Sequence, residues 1–140
     1  MREILFRGKQ IDDGEWVEGS LIYDIEQDEA YIAESFEAKS AYIRQVDPET
    51  VGQYTGLKDK NEVKIFEGDL VVSRFTKKPY LVCFGEYAYT NEYGDDEDCC
   101  GWYNKEEDGY VTALGCPDVW AIVIGNIHDN PELLKEGGGE

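Results

Sequence analysis

Short apolar segments separated by glycine- and aspartate-bearing breaks run through this chain from end to end, and that pattern leaves little room for helix. The first example is EILFRGKQI, followed by Asp12-Asp13-Gly14 and then EWVEGSLIYD, which reads as strand, turn and strand. YIAES and AYIRQV are further short strand candidates able to complete a small antiparallel sheet with the first two. After residue 60 come VKIF and DLVVSRF on either side of Glu67-Gly68-Asp69, then KPYLVCFGEYAY, GWYN and GYVTAL. VWAIVIGNI is apolar enough to be read as a central strand.

Helix signals are confined to two places. Asp47-Pro48-Glu49 sets a capping side chain, a proline suited to the first helical position and an acid at the positive end of the dipole in succession. Gly52 and Gly56 then limit that helix to about one turn. Asn130-Pro131-Glu132 repeats the arrangement ahead of Leu133 and Leu134. The expected fold is therefore mostly β, either a small antiparallel barrel-like structure or two packed β-lobes, with two short helical turns. A single domain over 1–134 is expected, with lobes 1–46 and 47–134 and a flexible tail at 135–140 carrying Gly137, Gly138 and Gly139.

Charge narrows the partners. With 31 acids against 13 bases the formal net charge is -18, which disfavours direct binding to nucleic acid or an anionic membrane. The acids are clustered: Ile11 to Ala38 holds ten and no Lys or Arg, and Glu86 to Asp118 holds ten with only Lys105. Between Arg44 and Lys78 seven bases meet six acids. Acid on exposed strands and loops keeps an aromatic-rich chain soluble, and it also suits a basic protein partner. The opening MREILFRGKQ lacks the apolar stretch of a signal peptide and no apolar run is of membrane-spanning length, so a cytoplasmic protein is expected. Cys83, Cys99, Cys100 and Cys116 are then expected to be reduced thiols.

REILFRG near the start, QYTGLKDKNEVKIFEGDLV in the centre, GWYN and the closing GNIHDNPELL together resemble the YopX-like family of bacteriophage and prophage proteins. The landmarks run in order from residue 2 to residue 134. The resemblance implies a phage or prophage origin in a bacterial host, a mostly β fold and self-association, and it implies no particular activity. Members of that family commonly carry Asn-Gly in the lysine-rich turn, where this chain has Asn61-Glu62. Either Asn61 alone takes the left-handed conformation or the turn is wider here.

Several residue groups could carry chemistry. Asp96, Asp98, Gly101 and Glu107 match EF-hand spacing, but Cys100 stands at a ligand position and the flanks are not amphipathic helices, so a solvated acidic loop is the expectation. The cysteines lack paired zinc spacing; Cys83 and Cys116 read as buried structural thiols, and nothing basic activates the adjacent pair Cys99-Cys100. His128, the one histidine, follows an apolar run and reads as a hydrogen-bonded structural residue. No catalytic or metal-binding residue is assigned and no cofactor is expected.

Lys58, Lys60 and Lys64, with Arg74, Lys77 and Lys78, form a basic region interleaved with acids. Together with Asp95, Asp96, Glu97 and Asp98, the lysines 58, 60 and 64 are the candidate interaction surface. The expected function is a non-catalytic protein-binding module that self-associates. The alternatives are an acidic nucleic-acid mimic acting as a decoy for a host DNA-binding protein, and a metal-dependent hydrolase.

Overall fold

The computed structural model describes residues 2–34, 43–73 and 78–136. It divides into two compact units, Met1–Gly56 and Leu57–Glu140. The division at Gly56 lies beyond the 46/47 lobe boundary expected from sequence, because the segment after Val46 stays attached to the first unit. The Asp47 amide donates to the Lys9 carbonyl at 2.8 Å, and the Lys9 amide donates to Thr50 Oγ1 at 2.9 Å.

The first unit contains β1 (Phe6–Lys9), β2 (Trp16–Asp24), β3 (Glu29–Ala33) and β4 (Ile43–Val46), a 3-10 turn at Pro48–Thr50, and β5 (Gly52–Lys58) up to Gly56. All pairings are antiparallel, in the order β4-β3-β2-β1-β5. Val17, Ala30, Ile32 and Val46 form its buried cluster, with Phe6, Leu21 and Val51 packed against it. Alternation along β2 and β3 puts these side chains on one face, as a half-buried sheet requires. Asp47 caps the 3-10 turn as its sequence suggests, its Oδ1 accepting from the Glu49 amide at 3.0 Å. The glycines expected to bracket that turn, Gly52 and Gly56, instead lie in β5, which pairs with β1. β5 runs on past Gly56 to Lys58, where its next neighbour in sheet order is β6 (Lys64–Phe66).

The second unit continues with β7 (Asp69–Ser73), β8 (Tyr80–Thr90), β9 (Asp96–Lys105), β10 (Val111–Ala113), helix α1 (Pro117–Trp120), β11 (Ala121–Asn126) and helix α2 (Pro131–Glu136). Its sheet has the order β10-β9-β8-β7-β11. Ile65, Val71, Val82, Leu114 and Ala121 are the buried cluster, and Tyr80, Trp102, Trp120 and Val123 pack on it. The protein is thus mostly β with two antiparallel sheets forming two β-lobes, and neither sheet closes into a barrel.

Three expectations need correction. β11, read as a central strand, is an edge strand of its sheet, with Ile124 exposed. Its apolar character has a local cause: its outer edge is covered by the turn after β5, which contributes hydrogen bonds to it. Val119 and Trp120, expected to open that strand, instead end a short helix, Pro117–Trp120, started by a proline in its first turn. Finally, α2 extends through Glu136, past the expected start of the tail at 135. Residues 137–140, Arg74, Lys77 and the 35–42 parts of YIAES and AYIRQV lie outside the described residues. No described helix is long and apolar enough to cross a membrane.

Candidate functional site

Two parts of the second unit hold the charged residues singled out from sequence. The first is the hairpin joining β5 to β6. Asp59, only 2% exposed, organises it: Oδ1 accepts from the amides of Asn61 at 2.8 Å and Val63 at 2.9 Å. Its other oxygen, Oδ2, accepts from the Val123 amide of β11 at 3.0 Å. Next to it, the Lys60 amide donates to the Ala121 carbonyl at 3.0 Å. The turn therefore satisfies the free backbone edge of β11, which is how an edge strand can be this apolar.

The conformation of the turn resolves the alternatives left by Asn61-Glu62. The Asp59 amide donates to the Val63 carbonyl and the Glu62 amide to the Asp59 carbonyl, enclosing Lys60, Asn61 and Glu62 in the loop. Glu62 takes the left-handed conformation with φ 63°, and Asn61 does not. This is the wider hairpin, a type I turn followed by one left-handed residue, and Glu occupies the position that favours glycine. Lys58 is exposed at the end of β5, Lys60 sits in the loop and Lys64 begins β6, so the three lysines share one hairpin at the β11 edge.

The second part is the ribbon formed by β8 and β9, which pair without interruption from Leu81↔Lys105 to Thr90↔Asp96. Only its base is embedded in the sheet. β7 pairs with β8 at Tyr80 and Leu81, and β10 pairs with β9 from Tyr103 to Lys105. Beyond those pairs the ribbon has no further strand neighbour among the described residues. Phe84 is 55% exposed and Tyr93, in the connecting turn, 82%.

Strand alternation gives the ribbon two unlike faces. Cys83, Tyr87 and Tyr89 share one face with their cross-strand partners Tyr103, Cys99 and Glu97. Tyr87 and Tyr103 stack there with centroids 5.0 Å apart, flanking the directly opposed Gly85 and Gly101. Phe84, Glu86, Ala88 and Thr90 lie on the other face, opposite Trp102, Cys100, Asp98 and Asp96. Phe84 and Trp102 meet edge to face at 4.9 Å near the base, and acids dominate toward the tip.

Asp95 closes the turn, its carbonyl accepting from the Asn91 amide at 2.8 Å. Asp96 accepts from Thr90 Oγ1 at 2.9 Å, and Asp98 is exposed on the same face. Glu97 points to the opposite face, where Tyr89 OH donates to it at 2.6 Å. That bond, with the charge of Glu97, pushes the Tyr89 phenol up to about 12. The lysine hairpin is at the β11 edge and the acids at the far end of a ribbon one strand removed from the other edge, so the fold does not join the two candidate groups within the unit.

The EF-hand reading fails on geometry. Asp96 to Gly101 is a β-strand, not a solvated loop, and an extended strand advancing about 3.3 Å per residue cannot wrap ligands around one ion. Among the described residues no three His, Cys, Asp or Glu side chains converge on a metal position. All four cysteines are free. Cys83 is half-buried and burial pushes its thiol up, whereas Cys116, expected to be buried in a strand, is exposed just before α1. Cys99 and Cys100 point to opposite faces of the ribbon.

GNIHDN and EGD, remote in sequence, meet in space. The Ile127 amide donates to the Gly68 carbonyl at 2.8 Å and Asp69 pairs with Asn126. Asn126 Oδ1 accepts from the amides of His128 and Asp129, and Asn130 Oδ1 accepts from the Asn126 amide. A Cβ on Gly125 would lie 2.5 Å from Asn130 Oδ1, so a larger residue there would displace the Asn130 side chain from this clasp. His128 is exposed, with Nε2 3.5 Å from where a Gly68 Cβ would stand. The motif arrangement is that of a structural clasp.

The family model described as YopX protein matches residues 5–135. The chain belongs to the YopX family. The match spans the lysine hairpin, the ribbon and the clasp, so all three are parts of the YopX domain. One solved structure, titled crystal structure of protein EF1440 from Enterococcus faecalis, aligns with a TM-score of 0.56 at 23% identity, over 96% of this chain and 99% of that one. That likeness extends to the fold. No curated protein sequence matches the chain at a significant level.

Proposed function

We propose that this YopX-family chain is a protein-binding module without catalytic activity of its own, encoded by a phage or prophage and working in the cytoplasm of the bacterial host. The observation that carries the reading is the β8–β9 ribbon, which leaves its sheet with exposed aromatics and an acid-rich tip. A two-stranded ribbon alone is marginally stable in water, and exposed aromatic side chains on it favour a partner. Its charge selects a basic protein surface and opposes phosphate.

A specific observation favours self-association as a second reading. Lys58, Lys60 and Lys64 sit on one hairpin whose turn bonds to the β11 edge, while the acids lie on the ribbon toward the other edge of that five-stranded sheet, so a head-to-tail contact would bring the hairpin of one copy to the ribbon of the next. A host DNA-binding protein captured on the ribbon would be the decoy form of the first reading. The test is affinity capture over a salt series with the natural chain and with Asp95→Asn/Asp96→Asn/Asp98→Asn. A partner retained at low salt, released as salt rises and weakened by the neutralised ribbon is expected. Capture that ignores both salt and the three substitutions contradicts the proposal.

A further inference from the structure

We infer that the outer edge of β9 between Asp96 and Cys100 is a strand-docking site, and that its occupant is an extended segment of a basic partner alternating lysine or arginine with apolar residues. The inference deepens the protein-binding reading and rests on it. The backbone direction of β9 follows from its neighbours. The Leu114 amide donates to the Trp102 carbonyl at 3.2 Å and the Glu106 amide to the Tyr110 carbonyl at 2.9 Å, so even-numbered residues face the β10 side. At the tip the Asn91 amide donates to Asp95, which places odd-numbered residues toward β8. The two observations agree along an unbroken register.

Below Trp102 the outward N–H and C=O groups of Cys100, Asp98 and Asp96 have no backbone partner among the described residues. They continue the line that β10 occupies above. An incoming strand would extend the sheet there by main-chain hydrogen bonds, while its alternate side chains meet two different surfaces.

Those surfaces specify the occupant. On one face Asp96 and Asp98 lie along the edge itself, a match for lysine or arginine at every second position. On the other is a groove of about 500 Å³ whose lining includes Tyr87, Tyr89, Cys99, Tyr110 and Val111, a match for apolar side chains at the positions between. The opposite edge of the ribbon, on β8, offers outward groups at Glu86, Ala88 and Thr90 with one acid among them, so β9 is the edge that charge favours.

The test uses the full chain and an end-blocked octapeptide alternating lysine and valine. Cys100→Pro removes one outward N–H and leaves the inward pairing with β8 intact, and Ala88→Pro does the same on the other edge. The peptide should bind, Cys100→Pro should weaken it about tenfold, the scale of one hydrogen bond, and Ala88→Pro should leave it unchanged. Asp96→Asn/Asp98→Asn should lower both the affinity and its salt dependence. Should Cys100→Pro fail to fold, the peptide carries the test with the protein untouched: methylating backbone nitrogens at one set of alternate residues abolishes binding, and methylating the other set does not. Equal losses from the two prolines, or equal binding of both methylated peptides, overturns the site. So does absence of peptide binding, and if the salt-series capture still succeeds, the module reading stands while the edge assignment falls. A chain that self-associates through the same edge, becoming monomeric with Cys100→Pro, would assign the edge to a second copy and overturn the proposed occupant.

Discussion

Asp59 and Val123 are joined by a 3.0 Å hydrogen bond from the Val123 amide to Asp59 Oδ2, and through it a hairpin loop covers the edge of a strand far along the chain. The same carboxylate holds the loop closed through Asn61 and Val63. Asp59→Ala would leave three amides without this acceptor in a site that is 2% exposed. The expected loss is about 3 kcal/mol, since hydrogen bonds to a charged acceptor contribute about 1.5–3 kcal/mol each and water recovers part of that at the exposed turn. Asp59→Asn, which keeps one acceptor oxygen, should lose less. Urea unfolding followed by fluorescence measures both, and equal stability of Asp59→Ala and the natural chain would contradict the role.

Glu62 holds a left-handed φ of 63° in that loop. Substitution by glycine relieves a strain of about 1–2 kcal/mol and adds the chain entropy of glycine, about 0.5–1 kcal/mol, in opposition. Glu62→Gly is therefore expected to stabilise the protein by about 0.5–1 kcal/mol and raise Tm. A lower Tm would show that the Glu62 side chain contributes more than its backbone costs.

Tyr89 and Glu97 make the ribbon sensitive to alkali. The phenol is pushed up to about 12 from a usual 10 by its bond to Glu97. A raised pKa means stabilisation fully present below pH 10 and lost as pH rises through 12. Ultraviolet titration of phenolate formation, taken as the difference between the natural chain and Tyr89→Phe, should place this tyrosine near 12. Glu97→Gln should move it back toward the ordinary value. An unchanged midpoint in Glu97→Gln would remove the carboxylate as the cause.

Lys58, Lys60 and Lys64 test self-association. Reversing all three to Glu should shift the protein toward monomer in sedimentation velocity, with the natural chain also dissociating as salt rises. An assembly unaffected by the triple reversal would return the lysines to solubilising an edge.

What was legible in the sequence was local. The β1–β2 hairpin, the Asp47-Pro48 turn and the helix after Asn130 follow from turn and cap chemistry acting within a few residues. β5 was harder to read, because glycines at positions 52 and 56 look like helix ends until β1 supplies a ladder partner. DEDCC reads as a solvated loop because Asp and Glu are poor strand formers. It becomes strand because GEYAYT lies opposite it and supplies tyrosine and threonine hydroxyls to two of its carboxylates.

The sequence by itself determined a mostly β chain, an acidic surface and membership of the YopX family, since composition, turn residues and motif order survive without coordinates. Only the tertiary structure decided which strand lies at an edge, that Asp59 is buried, and which way each acid of residues 95–98 points. The physical reason is that these depend on pairing across long sequence separations. A strand's position is set by what occupies its neighbouring edge, and the face of a side chain by the register of its partner.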